Sequence, residues 1–212
     1  MTKSMAEHVY EGVKEWIVSG DLPGGELVSE GYVAHRLGTS RTPVREAFLT
    51  LQAQGWMRLY PKRGALVVGI GESEARNLVE ARRMVELDCV RKLVESDVSL
   101  MRLVSQLKEI LSRHHRAVVE ERTSSGFVAV ESEFHAAIVH SAGNHLVNSF
   151  YTKLAERQRR LVSSSPACIT VQVECAIGDH VGLTDLIENR DLDGLEIALN
   201  GHLRLVHGVV AR

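Results

Sequence analysis

Four side chains in the C-terminal half have types and spacings that suit a metal ion. Glu131 and His135 stand four apart beside the apolar run Phe127, Val130, Phe134 and Ile138, so on a helix they share one edge of a buried face. His180 falls among Val173, Ala176, Leu183 and Ile187, and His202 among Leu195, Leu199 and Val206. Taken singly, each histidine reads first as a hydrogen-bonded core residue. One carboxylate and three imidazoles turned inward on three helices make a shared centre the competing reading. That donor set suits Zn²⁺, Ni²⁺ or a similar borderline divalent metal ion better than Mg²⁺ or Ca²⁺. Arg82 poses a related question, because it lies in the middle of the stripe Leu78, Val85, Cys89 and Leu93 while Arg83 points away. A buried guanidinium needs a partner. Either Glu86, one turn on, supplies it, or a bound carboxylate does. His114 also falls on an apolar stripe and reads as core or pocket wall.

A second chemistry is written near the N-terminus. Arg41, Thr42 and Arg45 project together from the start of an expected helix whose other face carries Val44, Ala47, Phe48 and Leu51. Arginine suits guanine edges and phosphates, and threonine suits base edges or methyl groups. The turn Pro61-Lys62-Arg63-Gly64 puts two more cations between two short strand-like runs, Trp56–Tyr60 and Ala65–Val68. The net charge of −2 hides this: residues 36–63 hold six basic side chains against one acid, whereas residues 71–212 hold 17 against 20. Phosphate attraction depends on where charge sits.

The elements that must position these groups divide the 212 residues at about residue 70. Val9, Val13 and Ile17 mark a first helix, ended at Ser19-Gly20. Ser29 is placed to cap a second, Ser40 a third, and only Gly38-Thr39-Ser40 joins these two, as a helix-turn-helix requires. Residues 1–70 therefore read as a winged helix-turn-helix DNA-binding domain with a two-stranded wing. Residues 71–212 read as helices near 72–96, 98–122, 126–142, 144–163, 169–189 and 192–210, with Pro166 the lone proline, which implies a mainly α chain and an antiparallel bundle. No apolar run approaches the roughly 20 residues of a membrane span. No signal-peptide core opens the chain, and Cys89, Cys168 and Cys175 lack CxxC spacing, so a cytoplasmic setting with free thiols is expected.

The runs Leu22–Leu27, Leu37–Ala47, Gly55-Trp56 and Arg63–Ala65 resemble the GntR family of bacterial regulators, most specifically over Ser40–Ala47. That resemblance implies DNA contacts from Arg41, Thr42, Arg45 and Arg63. Some members carry an arginine early in the second helix, where this chain has Gly31 and Tyr32. Glu80-Ala81-Arg82 with Glu86, Glu131–His135, Ala142–Asn144, Asp179-His180, Asp191 and His202-Leu203 resemble the FCD domain of the FadR-type branch. It implies an effector-binding and dimerisation bundle, often with a metal held by an aspartate and three histidines. By position the ligands here are Glu131, His135, His180 and His202, with Arg82 in the effector pocket. Glu131 stands where aspartate is usual. The six-helix count resembles the VanR-like subgroup. The reading is a repressor, homodimeric on double-stranded palindromic operator DNA, modulated by a small organic acid. The alternatives are a constitutive DNA-binding dimer and a metal-dependent enzyme, for which no general base is assigned.

Overall fold

The computed structural model describes residues 3–115, 124–163 and 178–206. They form two compact units, Met1–Gly71 and Glu72–Arg212. In the first unit, α1 (Met5–Ser19) opens on a capping box: the Glu7 N–H donates to Ser4 Oγ at 3.1 Å, and the Ser4 N–H donates to Glu7 Oε2 at 2.7 Å. Gly20, with φ +89°, closes it in the left-handed conformation that glycine tolerates. Val9, Val13 and Ile17 are buried with Val44, Ala47, Phe48 and Leu51 of α3 (Arg41–Ala53). Between them α2 (Glu30–Arg36) begins at Ser29, whose hydroxyl accepts the Tyr32 N–H at 3.1 Å.

Two local expectations are corrected here. Ser40 occupies the N-cap of α3, yet its side chain makes no capping hydrogen bond. The third helical residue, Pro43, has no N–H to offer, so the usual donor is missing. The wing has three strands, not two. Strands β2 (Met57–Tyr60) and β3 (Gly64–Val67) pair antiparallel, Met57 opposite Val67 and Tyr60 opposite Gly64. The far edge of β3 is covered by β1 (Leu27–Val28), giving the order β1-β3-β2. Gly64 sits at that junction with φ +105°, and a Cβ there would lie 2.3 Å from the Val28 carbonyl oxygen. Glycine is therefore required for the wing to turn back over β1.

The second unit is built from α4 (Glu72–Leu93), α5 (Asp97–His115), α6 (Ser124–Ser141), α7 (His145–Ser163), α8 (178–188) and α9 (Leu192–Val206). Helix α4 packs on α6, α7 and α9, while α6 lies between α5 and α7. Its core joins Leu87, Val90 and Leu93 of α4 to Leu103, Leu107 and Ile110 of α5, Phe127, Val130, Phe134 and Ile138 of α6, and Leu195, Leu199 and Leu203 of α9. Helix α4 ends earlier than expected, at Leu93. The expected starts and ends of the 98–122, 169–189 and 192–210 segments, with Pro166, Cys168, Val173, Cys175 and Ala176, lie partly or wholly outside the described residues. Cys89 is a buried free thiol. Among the described residues no helix is long and apolar enough to cross a membrane.

Candidate functional site

The stripes that carry Glu131, His135, His180 and His202 converge. One ligand-type atom from each lies within 4.8 Å of every other, and all four side chains are buried. The inward atoms are close to one another: His135 Nε2 is 3.1 Å from His202 Nε2 and 3.3 Å from His180 Nε2. Glu131 Oε2 stands 3.2 Å from His180 Nε2 and 3.1 Å from His202 Nε2. Four donors bound at about 2.0–2.1 Å in a tetrahedron stand about 3.3–3.4 Å apart, and the four separations above lie close to that value, so the cluster could hold one ion of the zinc type. The extra methylene of Glu131, relative to aspartate, does not carry its carboxylate past the centre.

Surrounding groups fix how these donors point. Glu86 Oε2 lies 2.7 Å from His135 Nδ1, and Asp179 Oδ2 lies 3.2 Å from His202 Nδ1. A carboxylate at Nδ1 favours the tautomer with its proton there, which turns the Nε2 lone pair inward. His180 Nδ1 is buried with no hydrogen-bond partner among the described residues, and its ring stacks on Phe134 at a centroid distance of 4.2 Å. Behind the cluster, the Tyr151 hydroxyl donates to Glu86 Oε1 at 2.6 Å, and Gln158 Nε2 donates to Glu131 Oε1 at 2.6 Å.

Arg82 is 0% exposed and ties the two carboxylates together: Nε donates to Glu86 Oε1 at 2.9 Å and Nη1 to Glu131 Oε1 at 3.2 Å. Glu86 is thus a partner of Arg82, and Glu131 is a second one. The two Glu131 oxygens face different partners: Oε1 faces Arg82, Gln158 and, at 3.4 Å, His135 Nε2, while Oε2 faces His180 and His202. Arg83 instead reaches Glu196 at 2.6 Å, and His114 Nε2 lies 2.7 Å from Glu133.

Electrostatics separates the three histidines. Burial holds His180 neutral, lowering its pKa to about 4 against the pull of Glu131. Burial disfavours the charged form of His202 too, but the Glu131 charge and the bonds to Asp179 and Glu131 outweigh it and raise the pKa to about 9. Against its own burial, Glu86 is lowered to about 2 by Arg82 and His135, and Glu131 is held well below the carboxylate range by His135 and His202. Without a metal ion, a proton on His202 occupies the position of positive charge that the cluster demands.

The N-terminal unit carries the second candidate surface. Arg41, Thr42 and Arg45 are exposed at the start of α3, and Lys62 and Arg63 are exposed at the wing turn. Arg41, Arg45, Lys62, Arg63 and Gly64 line one groove of about 700 Å³. Arg45 is not bare: Nε and Nη2 donate to the two carboxylate oxygens of Glu30 at 2.9 and 3.0 Å. Gly31 leaves room for Arg41, whose Nη2 lies 3.4 Å from where a Cβ would stand.

The bacterial regulatory proteins of the gntR family match residues 5–67, and the FCD domain matches residues 77–205. The chain belongs to the GntR family. It is a DNA-binding transcription regulator with a C-terminal FCD domain, and the family and its relatives are regulators rather than enzymes. This GntR regulator is similar to the transcriptional repressor RspR of Escherichia coli K12, at 25% identity over 96% of this chain and 87% of the relative. It is 28% identical to the gluconate operon transcriptional repressor of Bacillus subtilis 168, over 65% of this chain and 55% of that one. Its fold is shared with a GntR transcriptional regulator from Rhodococcus sp. RHA1, with a TM-score of 0.77, 19% identity, and coverage of 99% and 100%.

Sequence reasoning did not assign the positions around the GntR regulator's centre that Tyr151 and Gln158 take. They lie seven apart on α7, two turns of one face, and a glutamine on a buried helical face was the available signal. Glu30 was also missed, since fifteen residues separate it from Arg45.

Proposed function

We propose that this regulator is a repressor that binds a roughly palindromic operator as a homodimer and is released by a small organic acid sensed in the FCD domain. The observation that carries this reading is the convergence of three imidazole Nε2 atoms and Glu131 Oε2, with Glu86 and Asp179 setting two of the rings. Glu131, His135, His180 and His202 would hold one divalent ion, Zn²⁺ or Ni²⁺ by donor type. Such an ion supplies a Lewis-acid anchor for a carboxylate. The charges of the fully buried groups within the cluster support an anionic effector. Arg82, Glu86 and Glu131 sum to −1, a proton on His202 brings the sum to zero, and a divalent ion in its place would leave +1. One carboxylate restores neutrality in a region that cannot tolerate bare charge. Arg82 already reaches Glu131 and is our candidate for binding that carboxylate.

On the DNA side, Arg41, Thr42 and Arg45 enter the major groove, while Lys62, Arg63 and the Gly64 turn meet the backbone or minor groove. Residues 1–70 thus do the binding, and residues 71–212 sense and dimerise, in the cytoplasm. An acid that prefers one arrangement of the dimer shifts it away from the operator. The relatives named above as repressors favour repression, and the gluconate operon in one name favours an acid. Six C-terminal helices among the described residues support the VanR-like subgroup.

The test is a titration of full-length protein on a duplex enriched from its own genome. Mono-, di- and sugar acids are added one by one to metal-loaded and to chelated protein. One acid class should weaken operator binding tenfold or more in the metal-loaded protein and much less after chelation. If no acid changes the affinity of metal-loaded protein, the regulator is a constitutive binder.

A further inference from the structure

Arg45 is the side chain expected to read a base, and the structure shows it already engaged. Its pairing with Glu30 is side-on and bidentate, through Nε and Nη2 at 2.9 and 3.0 Å. The two partners are unequally placed. Glu30 is the first residue of α2, its side chain 22% exposed and its backbone fixed by the Ser29 cap, whereas the Arg45 side chain is 67% exposed. The better-anchored group is the carboxylate, so the pair positions the arginine. Arg41 lies against Gly31, the residue that follows Glu30 in α2. Glu30 therefore stands beside two arginines of the recognition helix on the wall of the α3–wing groove.

The geometry leaves one edge of Arg45 open. A guanidinium offers five N–H donors, and a side-on carboxylate uses the Nε–H and one Nη2–H. The remaining Nη1 and Nη2 donors form the end-on fork, whose spacing matches the O6 and N7 acceptors of guanine. A carboxylate at this place also repels phosphate, which would otherwise attract a free arginine wherever the protein sat on DNA.

We propose that Glu30 is a positioning and specificity-determining residue: it holds Arg45 by its Nε edge, aims the end-on fork into the major groove, and keeps the guanidinium from settling on phosphates. This rests on the reading of Arg45 as a base contact. An exposed ion pair contributes little to folding, so the effect belongs to DNA recognition rather than to stability. Glu30 weakens general attraction for DNA and strengthens the discrimination between sequences.

The test uses full-length protein and two duplexes of equal length, one enriched from a random pool by the wild-type protein and one with its sequence scrambled. Affinities are measured over a range of salt for wild type, Glu30→Gln, Arg45→Ala and the double variant. Thermal melts establish that each variant is folded. Arg45→Ala should lose tenfold or more on the enriched duplex, which checks the underlying reading separately. Glu30→Gln should lose about tenfold on the enriched duplex and none on the scrambled one. There its affinity should hold or rise, with a log–log salt slope steeper by about one. In the Arg45→Ala background, the Glu30 substitution should no longer reduce enriched-duplex binding. A pool re-selected with Glu30→Gln should show relaxed preference at the Arg45 position. Equal loss on both duplexes, or the same loss with Arg45 already removed, overturns the proposal. An Arg45→Ala variant with unchanged affinity overturns the base-contact reading and this inference with it.

Discussion

Stripped of divalent metal by chelation, the FCD domain should be most stable near pH 6.5 and should weaken on both sides of it. His202 holds its proton up to about pH 9 in the folded chain, against 6.5 when unfolded. Between those values the folded chain keeps a proton that the unfolded chain has lost. The stabilisation is therefore full below pH 6.5 and disappears as pH rises through about 9. His180 behaves oppositely, since burial delays its protonation to about pH 4. Its contribution is full above pH 6.5 and is lost as pH falls toward 4. Each gap is worth about 3 kcal/mol, from the free-energy equivalent of a pKa difference. For a domain of this size that corresponds to a fall of about 10 °C in melting temperature on each limb. Calorimetric melts between pH 4.5 and 9.5 in excess chelator measure it. His202→Ala should remove the alkaline limb and leave the acid limb. Saturating Zn²⁺ should flatten the alkaline limb of the wild type, because the ion then supplies the charge that the His202 proton supplied. An unchanged melting temperature between pH 6.5 and 9 in chelated wild-type protein would mean that His202 holds no such proton in the folded chain.

Three further outcomes follow from the geometry. Arg45→Ala should weaken specific operator binding by about 1–3 kcal/mol, whereas Arg63→Ala should act mainly on the salt dependence, both read by anisotropy titration. Gly64→Ala forces a Cβ toward the Val28 carbonyl at φ +105° and should destabilise the N-terminal unit by about 1–3 kcal/mol. Differential melting should show that loss with the FCD transition unmoved. Arg82→Ala leaves Glu86 and Glu131 buried without their shared cation and should cost about 3–5 kcal/mol of FCD stability. Acid-induced operator release should be lost in Arg82→Lys as well, provided that variant melts near the wild type.

Helical periodicity made most of the bundle legible, because a stripe of apolar residues is a local property of the chain. His180 and His202 could be recognised at the centres of such stripes, and Glu131 and His135 by their four-residue spacing. The pairings between elements were not readable in this way. Strand β1 is two residues long, with Leu27 exposed, and exists because Leu66 and Ala65 pair with it across some forty residues. The failure of the Ser40 cap was legible in principle, since Pro43 stands where the donor N–H should be. The shell of Glu86, Asp179, Tyr151 and Gln158 around the histidines depends on how α4, α7, α8 and α9 face α6, which no single periodicity encodes. Arg82 posed two alternatives in the sequence, and the structure adds a third element by giving it both Glu86 and Glu131.

Metal content tests the central claim, that Glu131, His135, His180 and His202 form a binding centre for one divalent ion. Full-length protein is chelated, reconstituted with excess Zn²⁺ or Ni²⁺, freed of loose metal, and assayed by elemental mass spectrometry beside His180→Ala and Glu131→Ala. About one tightly held ion per wild-type chain is the expected result, with His180→Ala losing more affinity than Glu131→Ala, whose place water can take. No stoichiometric metal in the reconstituted wild-type protein, or full retention in His180→Ala, would contradict it and return the three histidines to the hydrogen-bonded core.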